Sequence, residues 1–146
     1  MNAQAYLELK KKHEEELNDF PIAYAFNEKQ LEEALEKLGA DSIKECTTVF
    51  GHGDIMKKED AKKFVDMLVR HSNEIKQHLK DDVDFAYEAF RYEMDNHEYA
   101  INWDGDDDIL RCFGIDWDDI QEWGLQLAWN KARREHFEYM EKCGVI

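Results

Sequence analysis

Along most of this chain apolar residues recur at three- and four-residue steps, and over one short part they alternate with their neighbours. Ala3, Tyr6, Leu7, His13 and Leu17 keep the helical step, which predicts a helix over residues 2–18 with a thin apolar stripe and a wet back. Phe20-Pro21 ends it. Ile22, Tyr24 and Phe26 then alternate with Ala23 and Ala25, the two-residue period of a strand. The clearest helix follows. Asn27 suits its N-cap, Gln30 stands three residues on as a capping-box partner, Leu31, Ala34, Leu35 and Leu38 share one face, and Gly39 falls at the C-cap. β-Branched residues gather over 43–50 and predict a second strand. Gly51-His52-Gly53-Asp54 is turn chemistry, and Ile55-Met56 returns as a third short strand, closing a hairpin.

Downstream every signal is helical. Asp60 is placed to cap a long helix to about residue 80, with Phe64, Leu68, His71, Ile75 and Leu79 as its core line. A helix over 82–99 carries Ala86, Phe90, Glu93, Met94 and His97 on one side. Residues 102–108 read as a polar loop, from which Asp106 or Asp107 caps a short helix through Phe113 that Gly114 breaks. A last helix over 117–142 turns Leu125, Ala128, Trp129, Ala132, His136, Tyr139 and Met140 inward. The expected fold is α+β and helix-dominated, one domain over residues 1–146, with a two- or three-stranded antiparallel sheet in the N-terminal third. So few strands are marginal alone, so the helices supply most of the burial.

Length changes little in this picture: 146 residues is an ordinary domain, and one Pro with seven Gly leaves little room for linkers. No segment reads as a signal peptide, and no apolar run approaches the roughly 20 residues that span a bilayer. Cys46, Cys112 and Cys143 are widely spaced and form no CxxC pair, the pattern of reduced thiols in a cytoplasmic protein.

Charge changes more. Residues 81–124 hold 15 carboxylates against only Arg91 and Arg111, and account for nearly all of the formal net charge of −15. Half of the chain's aromatic residues lie in the same stretch. A disordered acidic tail has nothing to bury and would lack those rings, so the block predicts a folded, strongly negative surface. Such a surface disfavours direct binding to nucleic acid or anionic lipid and favours a basic partner. Asp116, Asp118, Asp119 and Glu122 crowd the start of the last expected helix, where the helix dipole favours them. Asp104, Asp106, Asp107 and Asp108 have no such local cause, and their mutual repulsion opposes folding. Carboxylates at this density resemble the phosphates of DNA, spaced about 1.7 Å along its axis. Trp103 and Trp117 among them suit interface anchors, with core packing the plainer reading for at least one of them.

Other chemistries are weaker. Asp104, Asp106 and Asp108 have the first spacings of a calcium loop, but Ile109 stands where the loop needs Gly and Ile115 where it needs Glu. Glu93 and His97 lie one helical turn apart on an apolar face, the ingredient of a general base or a metal ligand, with His71 and His78 as weak further candidates. A satisfied buried His–Glu pair is the plainer reading, and neither HExxH nor GxSxG occurs. Gly51-His52-Gly53-Asp54 lacks the GK[ST] ending of a phosphate loop. Lys57, Lys58, Lys62 and Lys63 are interrupted by Glu59 and Asp60 and read as a solvated helix start. Nothing requires a cofactor.

Phe20-Pro21 with Ala25-Phe26, Leu38-Gly39, Gly53 with Ile55, Asp84-Phe85, Ala89-Phe90, Tyr92-Glu93 and Asn96-His97-Glu98-Tyr99 together resemble a family of small uncharacterised acidic proteins of bacteria and their phages or mobile elements. The likeness covers about residues 4–114. It implies a compact cytosolic α+β domain and a mobile-element setting, with no activity to carry over. A short acidic protein in that setting looks like anti-CRISPR and anti-restriction inhibitors, by analogy. The leading expectation is therefore a non-enzymatic inhibitor that mimics nucleic acid and binds the basic channel of a defence nuclease, such as a CRISPR effector. The alternatives are an accessory interaction domain whose acids only solubilise it, and a metal-dependent enzyme using Glu93 and His97.

Overall fold

The computed structural model describes residues 3–146. In chain order the elements are α1 (Gln4–Asp19), β1 (Ala23–Tyr24), α2 (Glu28–Leu38), β2 (Cys46–Thr47), β3 (Asp54–Lys57), α3 (Lys58–Asp81), α4 (Val83–Asn96), α5 (Gly105–Phe113), α6 (Trp117–Glu122) and α7 (Gln126–Lys142). Short 3-10 turns lie at Ile43–Glu45 and Tyr99–Ile101. The fold is α+β and helix-dominated, with a small antiparallel sheet, as the periodicity predicts. No helix among the described residues is long and apolar enough to cross a membrane. Backbone contacts divide the chain into two compact units, His13–His71 and the remainder, with boundaries inside α1 and α3.

The larger unit is built on α4 and α7. Tyr6, Leu79, Phe85, Phe90, Met94, Ile109, Phe113, Ile120 and Trp129 are buried in one cluster. Phe90 sits edge-on to both Phe113 and Trp129, with ring centroids 5.4 and 5.2 Å apart, a favoured geometry for aromatic pairs. Asp82 caps α4 by accepting from the Asp84 and Phe85 amides.

Three boundaries differ from expectation. α4 stops at Asn96 because Glu98 takes a left-handed backbone conformation (φ 50°) and the chain turns into the 3-10 segment. The polar loop is mostly helix: α5 begins at Gly105, and its N-cap position belongs to Asp104, not to Asp106 or Asp107. The expected last helix is two. Gly124, at φ 66°, closes α6 with a Schellman pair, its own amide bonding Gln121 O and the Leu125 amide bonding Ile120 O. That hydrogen-bonded stop overrides the helical spacing of Trp117 and Leu125.

The smaller unit carries the sheet, in the order β1-β3-β2 with both pairings antiparallel. Ala23 lies opposite Ile55, and Cys46 opposite Lys57. Its cores are Ala23, Ala34, Leu38 and Cys46, and Met56, Phe64 and Met67. α2 keeps its predicted caps, with the Gln30 amide donating to Asn27 Oδ1 at 2.8 Å. The reciprocal bond shifts by one residue, Gln30 Oε1 accepting from the Phe26 amide. Asp60 is in the first turn of α3, which begins at Lys58, so it is not the cap.

Both early strands are shorter than their side-chain pattern implies. In the first, small Ala23 is buried while Tyr24 and Phe26 are exposed. The Phe26 ring lies over Gly53, where a Cβ would approach it to 2.4 Å at a φ of 84° that glycine alone adopts easily. In the second, a Ser42–Glu45 capping box winds Ile43–Glu45 into a 3-10 turn, which leaves only Cys46–Thr47 for the strand. The next residues wrap Asp54 instead. Its buried carboxylate accepts from the Thr48 hydroxyl (2.7 Å) and from the amides of Val49 (2.8 Å), Phe50 (3.1 Å) and His52 (3.2 Å).

Burial alone would raise the pKa of Asp54, but these donors outweigh it and hold the carboxyl well below the usual carboxylate range. A carboxylate depressed in the folded state contributes stability that is complete above its unfolded value, near pH 3.9, and is lost as pH falls further. Asp54→Asn should therefore cost about 1.5–3 kcal/mol at neutral pH. It should also flatten the fall in stability below about pH 4. Urea unfolding across that pH range measures both effects.

Candidate functional site

α7 positions the acidic stretch through a buried histidine. His136 is fully buried on the inward line of α7 with Ala128, Trp129 and Ala132. Its Nδ1 lies 2.7 Å from Asp95 Oδ1 on α4, and its Nε2 accepts from the Ala100 amide at 3.0 Å. An amide can only donate, so Nε2 is the acceptor and Nδ1 carries the proton toward Asp95. Arg91 holds the other Asp95 oxygen at 3.2 Å and reaches Glu135 at 3.5 Å. The 3-10 turn after α4 is thus tied to α7, and the residues that follow take their places from it.

Those residues form a cleft of about 400 Å³. Trp103, Asp104, Asp106, Asp107, Trp117 and Arg133 line it, over a floor that includes Tyr99 and Phe137. Trp103 is completely exposed, and Trp117 is 40% exposed. Trp117 is rigidly backed, edge-on to buried Trp129 at 4.8 Å. Asp106 accepts from the Tyr99 hydroxyl at 2.5 Å. Burial first, then that carboxylate, push the Tyr99 hydroxyl up to about 12, while Arg133 beside it pulls the other way. Arg133 also lies over the Phe137 ring at 4.7 Å. One arginine therefore faces three aspartates, and the cleft is net negative.

The other acids of the expected surface have separate positions. Asp108 accepts from the Asn102 side chain at 2.7 Å and pairs with Arg111 at 3.1 Å. Asp116 and Asp119 form the capping box of α6, with reciprocal bonds of 3.0 and 3.1 Å. Asp107, Asp116 and Trp117 also line a second, shallower depression beside the cleft. Asp118 and Glu122 are exposed on α6. Among the described residues the carboxylates of Asp104, Asp107, Asp118 and Glu122 have no ion-pair partner.

A separate cluster lies at the C-terminal end of α4. Glu93 is buried, and its two oxygens divide their contacts: Oε1 pairs with Lys10 at 3.3 Å, and Oε2 lies 3.4 Å from His97 Nε2. Cys112 Sγ, from α5, is 3.3 Å from the same Nε2 and 3.2 Å from the Asp108 carbonyl. Burial, then the Glu93 carboxylate, push the Cys112 thiol up to about 12, so near neutral pH it keeps its proton and is no nucleophile.

The structure therefore brings Glu93 and His97 together, as their one-turn spacing predicts, and adds Cys112, which sequence reasoning left as an inert thiol. Neither His71 nor His78 belongs to this cluster. His78 stacks on Phe85 at 5.1 Å, and His71 stacks on His13 at 4.0 Å. No spacing rule joins Cys112 to His97, because the left-handed Glu98 and the 3-10 turn set the distance between them. His136 and Asp95 escape sequence reasoning for a different reason: they lie 41 residues apart and meet only where α7 packs on α4.

A family model described as a family of unknown function (DUF7659) matches residues 5–135. No curated protein and no solved structure matches the chain.

Replacing His136 by Phe keeps a ring in the core but strands the Ala100 amide and removes a partner of Asp95. The change should lower stability by about 1–3 kcal/mol. Urea unfolding with an unchanged m-value is the measurement.

Proposed function

The chain belongs to this family of unknown function; we propose, from its acidic cleft, that it is a non-enzymatic inhibitor that offers the Trp103–Trp117 cleft to the basic nucleic-acid-binding surface of a defence nuclease, of the CRISPR or restriction type. One observation carries the reading: the Trp103–Asp107 stretch and Trp117, ten residues further on, converge on one exposed cleft. Arginine forks on a partner match carboxylates bidentately, and indole faces accept the same guanidinium groups by cation–π contact. Carboxylates with no internal cation are available to a partner, and Asp104 and Asp107 are of that kind. The acids that cap α6 or bond Tyr99 and Asn102 serve the fold as well, so the partner-facing set is smaller than the whole block. The competing reading, an accessory domain with a solubilising coat, assigns the cleft no role.

Two variants separate these readings without disturbing the fold. Asp104→Asn with Asp107→Asn should weaken binding to a susceptible nuclease about tenfold, the size of two partly screened ion pairs, and should flatten its salt dependence. Trp103→Ala, at a side chain with nothing behind it, should cost about 2 kcal/mol of binding if Trp103 is an anchor. Immobilised chain is challenged with a panel of purified CRISPR and restriction nucleases at low and high salt, with duplex DNA as competitor. Capture no better than by an equally acidic control protein, or capture that the variants leave unchanged, would end this proposal.

A further inference from the structure

The structure holds a second constellation that the acidic cleft does not use, and its ligand chemistry is different. We infer that Glu93, His97 and Cys112 form a zinc(II) site with three protein ligands and an open fourth position. One carboxylate oxygen of Glu93, one ring nitrogen of His97 and Cys112 Sγ all lie within 4.8 Å of one another. The two measured edges are 3.3 Å from sulfur to nitrogen and 3.4 Å from nitrogen to oxygen. Zinc bonds of about 2.3 Å to sulfur and about 2.0–2.2 Å to nitrogen and oxygen, at tetrahedral angles, require edges of roughly 3.3–3.6 Å. Two of the three edges already have the dimensions of one face of a zinc tetrahedron, and the third, from sulfur to oxygen, is within 4.8 Å.

The surroundings agree with the geometry. The carboxylate of Glu93 is only 3% exposed on its side chain, and Lys10 occupies Oε1 alone. A metal on Oε2 leaves Lys10 in place, braced over the Tyr6 and Tyr92 rings at 5.2 and 5.8 Å, beside the Tyr6 hydroxyl that also hydrogen-bonds the Glu93 carboxylate. The ligands come from two helices, Glu93 and His97 from the end of α4 and Cys112 from α5, so the site is built by packing. The His97 side chain is 38% exposed, which opens the fourth position to water. Thiolate with imidazole and carboxylate selects zinc over magnesium or calcium, which prefer oxygen alone. On binding, the Cys112 S–H bond breaks, a sulfur–zinc bond forms and the proton passes to solvent. No electron is transferred. With one thiolate and one carboxylate the bound site is neutral apart from Lys10.

The test uses the full chain, stripped with a chelator and reloaded with zinc(II), or with cobalt(II) for its thiolate charge-transfer band. One equivalent of zinc is expected by elemental analysis after removal of free metal, with cobalt giving the thiolate band and zinc raising the melting temperature. His97→Ala and Cys112→Ser, both at partly exposed positions, should weaken zinc binding more than about tenfold and abolish the cobalt band. Cys46→Ser, Cys143→Ser and the Asp104→Asn/Asp107→Asn pair should bind zinc as the parent does, which separates this site from the acidic cleft. Less than a tenth of an equivalent in the parent chain would overturn the assignment, whatever the variants do. So would full zinc uptake by folded Cys112→Ser.

Discussion

An imidazole sealed in the core, donating a hydrogen bond to Asp95 and accepting one from the Ala100 amide, is the contact on which the rest of this structure depends. Each of those groups is costly to bury alone and satisfied together. Their pairing fixes α7 against the C-terminal end of α4 at a defined rotation. Phe90 against Trp129 supplies the apolar area beside it, but apolar contact is not directional and tolerates sliding. The hydrogen bonds do not, and everything from His97 to Trp117 hangs from the segment they hold.

That segment must solve a charge problem. Packing aspartates at 104–108 and 116–122 opposes folding, and the structure answers in three ways. Helix starts absorb Asp116 and Asp119 in a capping box. Tyr99, Asn102 and Arg111 take Asp106 and Asp108 by direct bonds. The remainder stays exposed, where water screens it and self-repulsion costs least. What is left over is not evenly spread, since Asp104 and Asp107 share one cleft with two tryptophans and one arginine.

The surroundings of α5 also show how position divides carboxylates of the same charge. Asp104 and Asp107 are exposed, and their value to the molecule is long-range potential. Glu93 is buried beside Lys10, His97 and Cys112, where water does little to screen it and short-range ligand geometry dominates. An acidic cleft and a three-ligand cluster can thus share α5 without sharing chemistry. The cleft uses the exposed first turn of α5. The cluster uses Cys112, the residue before its last.

Much of this molecule is legible in one dimension. The helix-dominated α+β class, the α2 caps at Asn27 and Gly39, the hairpin pairing of β2 with β3 and the one-turn spacing of Glu93 and His97 all follow from local periodicity and turn chemistry, which depend on near neighbours. The shortened strands, the break at Gly124 and the early start of α5 do not. Each is decided by bonds between groups a few residues apart that compete with the side-chain pattern, such as the four donors that wrap Asp54 in place of extending β2. His136 with Asp95, and Cys112 with His97, lie 41 and 15 residues apart in the chain. Composition fixed the amount of negative charge in this protein. Only the packing of α7 on α4 and the turn after Asn96 decided which carboxylates stand in water, which are buried, and which thiol meets which imidazole, because those distances are set by contacts that no local spacing encodes.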